Sequence, residues 1–295
     1  MSNSVLFLTL PLLFAVAAVV VIVQNQRYRR IRRRLERSER RTDELLRQLR
    51  PLYSHRVAAQ LAVAGITPRL PLIFRSQFGE DLFLYELFSG GAIPVTSGFY
   101  IECGGCDGMD KSVTWIFDAL GWDGLLVEPL PHFAEAARRN RPRARIAQTA
   151  VAEKGASGEI EFVHVVGNEG AEGSSHLPGE GEGTVKRAPL DNARRVRVPL
   201  TSLDALLADH HAPIDLFVLD VEGAERRVLS GLDLSRRRPR VILIEDHSMG
   251  SDSALLNDLT THGYRHVAWI AYNRVMIHES EEDLLRRARE ITLTV

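Results

Sequence analysis

The sequence predicts an α/β fold: a doubly wound, Rossmann-like sheet ending in an antiparallel edge hairpin and preceded by an N-terminal transmembrane helix. Three observations predict it. Two short apolar runs end in a carboxylate followed by glycine, FYIECGGCDG over 99–108 and FVLDVEGAE over 217–225, as where a buried parallel strand hands over to a ligand-holding loop. Apolar runs and amphipathic stretches then alternate in β-α-β-α-β order, which calls for a parallel sheet with helices on both faces. Finally, residues 5–23, VLFLTLPLLFAVAAVVVIV, carry no charge and make a helix about 28 Å long, close to the apolar thickness of a bilayer.

A chain of 295 residues has room for one large domain and an appendage. The expected division is a transmembrane anchor over 1–25, an Arg-rich helical linker over 26–70 and the folded domain over 71–295. Net charge is −1, but arginines crowd the stretch after the apolar run while the glycine-rich middle is acidic, so local charge is the informative quantity. No nucleic-acid motif or basic stripe lies in the folded part. The two cysteines, Cys103 and Cys106, are spaced C-x-x-C. A redox pair would open a helix in its own fold pattern; these two read better as small residues lining a tight turn.

The first four residues carry no Lys or Arg, and the apolar run continues past the Ala15-Val16-Ala17 signature, which favours a single retained span over a cleaved signal. Arginines from 27 to 50 keep that flank in the cytoplasm, so the domain is expected on the cytoplasmic face of the inner or plasma membrane. Ile31, Leu35, Ser38, Thr42, Leu45 and Leu49 fall at coiled-coil spacing with two polar positions. A solvated basic helix near anionic headgroups is the preferred reading and a homodimer seam the alternative. Pro51 is expected to break that helix. A second amphipathic stretch, with Leu52, Val57 and Leu61 on one face, runs to Gly65.

Residues 76–88 read as a helix capped by Ser76, with acids in its first turn. Strand 99–101 leads to Glu102 at its carboxyl end, and Gly104, Gly105 and Gly108 leave backbone bare where a cofactor can lie. Asp110 can cap a helix through Leu120. Strand 124–127 ends in Glu128, placed to accept both hydroxyls of a ribose. A helix over about 132–140 and a strand near 144–151 complete the first half.

A strand over 159–166 precedes a long glycine-rich loop, 167–184, read as a cover presenting Ser174, Ser175 and His176 to a polar substrate. Order returns with a strand at 196–199, a helix in TSLDALLADHH, strand 214–219 ending in Asp220 with Glu222 beyond, and a helix from Ala224. Strand 241–244 then runs into Glu245, Asp246 and His247. Gly263 closes a helix before a hairpin over 264–278.

The glycines after the first strand miss the Gly-x-Gly-x-x-Gly spacing, and Asp107 and Asp110 crowd the turn. Carboxylates there repel a pyrophosphate but suit an ammonium and a sulfonium, which favours S-adenosylmethionine over a dinucleotide and leaves an NAD-dependent oxidoreductase as the alternative.

SQFGEDLFL, FYIECGGCDG, LLVEPLPHFAEAARRN and FVLDVEGAE, in this order and at these separations, resemble the FkbM family of S-adenosylmethionine-dependent methyltransferases over roughly 76–278. The resemblance implies O-methylation of a hydroxyl-bearing acceptor such as a glycan or glycolipid. It implies that Glu102, Gly104 and Gly108 hold the methionine end of the cofactor and Glu128 its ribose, that Gln77 and Asp81 reach the same pocket, and that Asp220 and Glu222 lie near the transferring methyl. Cys103, Gly105 and Cys106 depart from the Val, Ala and Asn more usual in this loop.

A hydroxyl acceptor must lose a proton, and the candidate bases are His247, Asp220 and Glu222. Plainer roles stand beside these, a surface-loop histidine for His247 and a helix cap for Asp220. Asp220, Glu222, Glu245 and Asp246 form an oxygen-rich set of the kind that gathers Mg²⁺, although no metal is expected from the sequence. A membrane-tethered glycan- or lipid-binding protein that kept the fold without the chemistry is the alternative from another class.

Overall fold

The structure, a computed structural model, describes residues 41, 44–90, 96–166, 175–178, 193–251 and 253–293. The chain divides into two compact units, 1–49 and 50–295. In the first, residues 44–49 are helical, and Arg47 pairs with Glu44 at 2.8 Å. Leu45 and Leu49, the described part of the expected seam, are exposed. The expected span over 5–23 and the rest of the seam lie outside the described residues. Among the described residues no helix is long and apolar enough to cross a membrane.

In the second unit a helix over 50–63 (α1) buries Val57 and Leu61, while Leu52 stays exposed. Pro51, expected to break the helix, is itself helical, and residues 52–63 continue helical after it. Tyr85 donates to Gln60 Oε1 at 3.0 Å, tying α1 to the next helix, α2 (Glu80–Ser89).

Seven described strands form the main sheet. In chain order they are β1 (Phe99–Cys103), β2 (Asp123–Val127), β3 (Arg145–Ala147), β7 (Leu216–Leu219), β8 (Val241–Glu245), β9 (Tyr264–Ile270) and β10 (Asn273–His278). Their spatial order is β3-β2-β1-β7-β8-β10-β9. All pair in parallel except β10, which runs antiparallel between β8 and β9; the expected hairpin therefore closes the sheet. Ile101, Leu125, Phe217, Leu219, Ile242 and Ile244 are fully buried, as strands covered on both faces require. The order reverses at β1, so right-handed crossovers place α3 (Trp115–Leu120) and α4 (Pro131–Asn140) on one face and α6 (Glu225–Leu229) and α7 (Ser253–Thr261) on the other.

Several elements depart from the sequence reading. The α2 helix starts at Glu80, with Gly79 at its N-cap, because the Asp81 carboxylate accepts from the amides of Arg75 and Ser76 and folds 75–79 back as a loop. The helix expected from Asp110 forms only as α3, because Glu102 accepts from the Val113 amide and from the hydroxyls of Ser112 and Thr114, holding 110–114 out of helical geometry. The single strand expected near 144–151 is two. Its second half, β4 (Ala150–Ala152), joins a separate sheet, β4-β6-β5, with β5 (Gly158–Val165) and β6 (Ala193–Ser202). Ser202 caps α5 (Leu203–Leu206), accepting from the Ala205 amide.

Within 167–184 only 175–178 are described. His176 is buried in a bridge to Val163 and Ser175 Oγ accepts from the Val165 amide, so the described part of the expected cover packs on β5; Ser174 lies outside the described residues. The closing helix α8 (Glu282–Leu293), unforeseen in the sequence, buries Leu284 and Ala288, and Arg287 donates to the Phe88 carbonyl of α2 at 2.9 Å.

The reversal at β1 brings two loops into contact where β1 and β7 end. Gly104 has φ 87, and a Cβ there would sit 1.8 Å from the Asp220 carbonyl oxygen. Gly104→Ala therefore combines a left-handed backbone with a backbone clash and is expected to cost about 2–5 kcal/mol in urea unfolding. A midpoint equal to the parent's would contradict this packing.

Candidate functional site

The site is built on the carboxyl ends of β1, β2, β7 and β8, the crevice that strand-order reversal opens in such sheets. The turn after β1 is held from beneath. Each Glu102 oxygen is used within the protein: Oε1 accepts from Ser112 Oγ at 3.0 Å and the Val113 amide at 2.9 Å, and Oε2 from Ser112 Oγ at 2.8 Å and Thr114 Oγ1 at 2.5 Å. Arg141, fully buried at the end of α4, donates through Nε to the Gly108 carbonyl and through Nη1 to Tyr100 Oη at 3.1 Å and Thr114 Oγ1 at 2.8 Å. Its Nη2 reaches Ser112 Oγ and lies 3.6 Å from Glu102 Oε2. A buried charge pair with its hydrogen bonds filled in this way fixes the geometry of what it touches. Glu102, expected at the methionine end of a cofactor, thus spends its acceptors on the loop.

The three glycines divide in the same manner. Gly104 is exposed and bares backbone at the crevice. Gly105 and Gly108 are buried, with side-chain atoms of Leu126 and Ala137 about where a Cβ would press; they allow close packing on β2 and α4 rather than a bare surface. Asp107 Oδ1 accepts from the amides of Met109 and Asp110, both at 2.8 Å, which shapes the turn. Asp81 is buried and accepts from Ser76 Oγ and the Leu82 amide besides the two amides already named. Gln77 is exposed.

Glu128 stands at the end of β2, buried, with one oxygen on the Cys106 amide at 3.1 Å and the other on the Leu130 amide at 2.9 Å. Each oxygen keeps acceptor capacity. Burial pushes its carboxyl up to about 7. Cys106 lies between, its thiol pushed well above the usual range by burial and then by Glu128 and Asp220.

On the other side of the crevice the carboxylates gather. Asp220, open to solvent, is nonetheless crowded by Glu245, Glu225 and Glu80, and it is held well above the ordinary carboxyl range by desolvation first and then by those neighbours. Glu222 is pushed up to about 8 by burial and Asp220, and Glu245 to about 8 by burial, Glu222 and Glu225. Glu222 adopts φ 56, a backbone that costs a branched or long side chain about 1–3 kcal/mol and clusters at functional sites. His247 Nε2 lies 2.8 Å from Glu245 Oε1. Asp246, grouped with these in the sequence reading, is elsewhere: it pairs with buried Arg274 at 2.5 Å and accepts from Ser248.

The expected catalytic trio of Asp220, Glu222 and His247 is therefore brought together, around Glu245. Sequence reasoning missed Glu225, although it closes the quoted FVLDVEGAE run; its Oε1 accepts from the amides of Val221 and Gly223 and shapes the turn that carries Glu222. It missed Arg141 entirely.

Arg141→Met leaves Glu102 buried without its cation and is expected to lose about 3–5 kcal/mol of stability by urea unfolding. Adding Glu102→Gln should restore part of that loss. Strict additivity of the two changes would contradict the pairing.

The profile of the methyltransferase FkbM domain matches residues 102–266, more than half the chain. Among solved structures, the chain is similar to a TehB-like SAM-dependent methyltransferase from Corynebacterium glutamicum, at 13% identity over 77% of this chain and 98% of that one. The TM-score is 0.36, too low to carry an argument. A search of curated proteins returns no match. The profile runs from the end of β1 to the first residues of β9, and so takes in the loop held by Glu102 and Arg141, Glu128, and the carboxylates at the ends of β7 and β8. With its motifs placed on the strand ends of a crevice of this kind, the chain belongs to the FkbM methyltransferase family.

Proposed function

We propose that the chain is a membrane-anchored O-methyltransferase that uses S-adenosylmethionine and acts on a hydroxyl of a saccharide, glycolipid or related metabolite at the cytoplasmic face of the membrane. The observation that carries the cofactor reading is the charge of the crevice. Asp220, Glu222, Glu225 and Glu245 crowd one side, Glu128 closes the other, and among the described residues no arginine or lysine forms an ion pair with any of them. A ligand with an ammonium and a sulfonium relieves that repulsion; a pyrophosphate would add to it.

The residues present fit the group. Gly104 offers bare backbone beside Asp220, and both Glu128 oxygens, already oriented by the Cys106 and Leu130 amides, accept the two ribose hydroxyls. When bound, S-adenosylmethionine supplies a methyl group already activated by its positive sulfur. The chain's own work is positioning, exclusion of water and removal of one proton. Asp220, Glu222 and His247, gathered around Glu245, are the groups to take that proton, and a base so placed contributes typically about 100- to 10,000-fold. The anchoring reading rests on the uncharged run over 5–23 and the arginines after it. An anchor raises the effective concentration of lipid-linked acceptors, which favours that substrate class.

Calorimetric titration of the chain in detergent with S-adenosylmethionine and with NAD tests the reading. Binding of the first alone is expected, weakened about 10- to 100-fold by Glu128→Ala, the worth of hydrogen bonds to a charged group. With Glu128 near 7, its accepting, ionised form falls from roughly nine-tenths at pH 8 to one-tenth at pH 6, so affinity should drop by up to about tenfold over that interval. That slope should vanish in Glu128→Gln. Preference for NAD would replace this reading with an oxidoreductase, and binding of neither would remove the enzyme reading.

A further inference from the structure

Glu245 has a buried oxygen with no partner. Its side chain is 10% exposed, Oε1 lies 2.8 Å from His247 Nε2, and Oε2 receives no hydrogen bond. A buried carboxylate oxygen without a donor lacks either a proton or a cation. Asp220 hydrogen-bonds this carboxyl and can share a proton with it; the surroundings also fit a cation in that place. Glu222, Glu245 and His247 each present a ligand atom, and the three atoms lie within 4.8 Å of one another. Around an ion with bonds of about 2.1 Å, ligands at right angles stand about 3.0 Å apart and opposite ligands about 4.2 Å apart. The Glu245–His247 separation is already near the first figure. With that pair at right angles, the Glu222 oxygen must come to the first figure from at least one of them, a shift of no more than about 1.8 Å and within a side-chain rotation.

Asp220 and Glu225 form a further triad with Glu245, so the negative charge continues behind the three ligands. Among the groups that act most strongly on Glu222, His247 and Lys111 oppose its charge, while Asp220 and Glu225 reinforce it. Glu245 is buried, but Glu222 is only partly so and His247 is exposed. Any ion held there keeps an open side.

We propose that Glu222, Glu245 and His247 bind one divalent cation of the magnesium–manganese class, with Asp220 beside it. Two carboxylates to one imidazole, and no thiolate among the ligands, suit those ions better than zinc. On the reading of this crevice as the acceptor side, which this inference shares, the open side takes the acceptor's hydroxyl oxygen. The ion then polarises that oxygen and makes its proton more acidic. His247 is a ligand through Nε2 in this arrangement, and Asp220 is the carboxylate left to receive the proton.

Titration of Mn²⁺ into the full chain in detergent, without S-adenosylmethionine, followed by loss of the free-ion paramagnetic resonance signal, tests the proposal. One ion per chain is expected, displaced by excess Mg²⁺ and weakened at least about tenfold both in Glu245→Gln and in His247→Ala, the latter at an exposed position that spares the core. No binding at millimolar Mn²⁺, or binding unchanged in both variants, overturns it. Cation binding in a chain that does not bind S-adenosylmethionine would uphold the ion site and remove the methyltransferase reading. Cofactor binding without cation binding would remove the ion alone.

Discussion

Carboxylates placed on the ends of adjacent parallel strands cannot escape one another, and this constraint organises the crevice. β1, β7 and β8 are neighbours in one sheet, so the residues just beyond each strand are delivered to the same edge. Asp220 lies directly after β7, Glu245 ends β8, and Glu222 sits on the turn between β7 and α6, with Glu225 opening that helix. Desolvation raises the energy of each ionised group, and mutual repulsion raises it again. A folded chain that keeps such an arrangement has left room for positive charge to arrive from outside.

The other side of the same sheet shows how the fold treats charge that it does not reserve. Glu102, one strand away from Asp220 and buried, meets Arg141, two hydroxyls and an amide. Arg141 in turn fixes Gly108, Tyr100 and Thr114. Asp246 is likewise matched by Arg274 two strands beyond β7. Charge that holds the frame is paired with arginine inside; among the described residues, the crevice carboxylates form no ion pair with arginine or lysine, and Glu245 pairs with His247. The distinction separates residues that shape the site from those that face it.

Much of the site was legible from local pattern. An apolar run ending in an acid identified Glu128 and Asp220, because a buried parallel strand needs continuous apolar residues and its first polar residue marks its end. The same logic located β8 and the hairpin. What was hidden depends on residues far apart in the chain. Arg141 acts on Tyr100 from 41 residues away and on Gly108 from 33, with no periodicity to announce it. The pairing of β4 with β6 joins Ala150 to Leu200, and only the folded sheet brings them together. Glu245 read as a strand end, but its place at the centre of Asp220, Glu222, Glu225 and His247 arises from the neighbouring positions of β7 and β8. The late start of α3 was obscured for a similar reason: a helix pattern was present, and a carboxylate from β1 took the backbone that would have continued it.

The most direct measurement is a crystal structure of the chain grown with S-adenosylhomocysteine. The account predicts density between Gly104 and Asp220, with the ribose on Glu128 and the amino acid end toward the carboxylates beyond β7. Ligand density on another face of the sheet, or a ribose that leaves Glu128 with only the Cys106 and Leu130 amides, would contradict it.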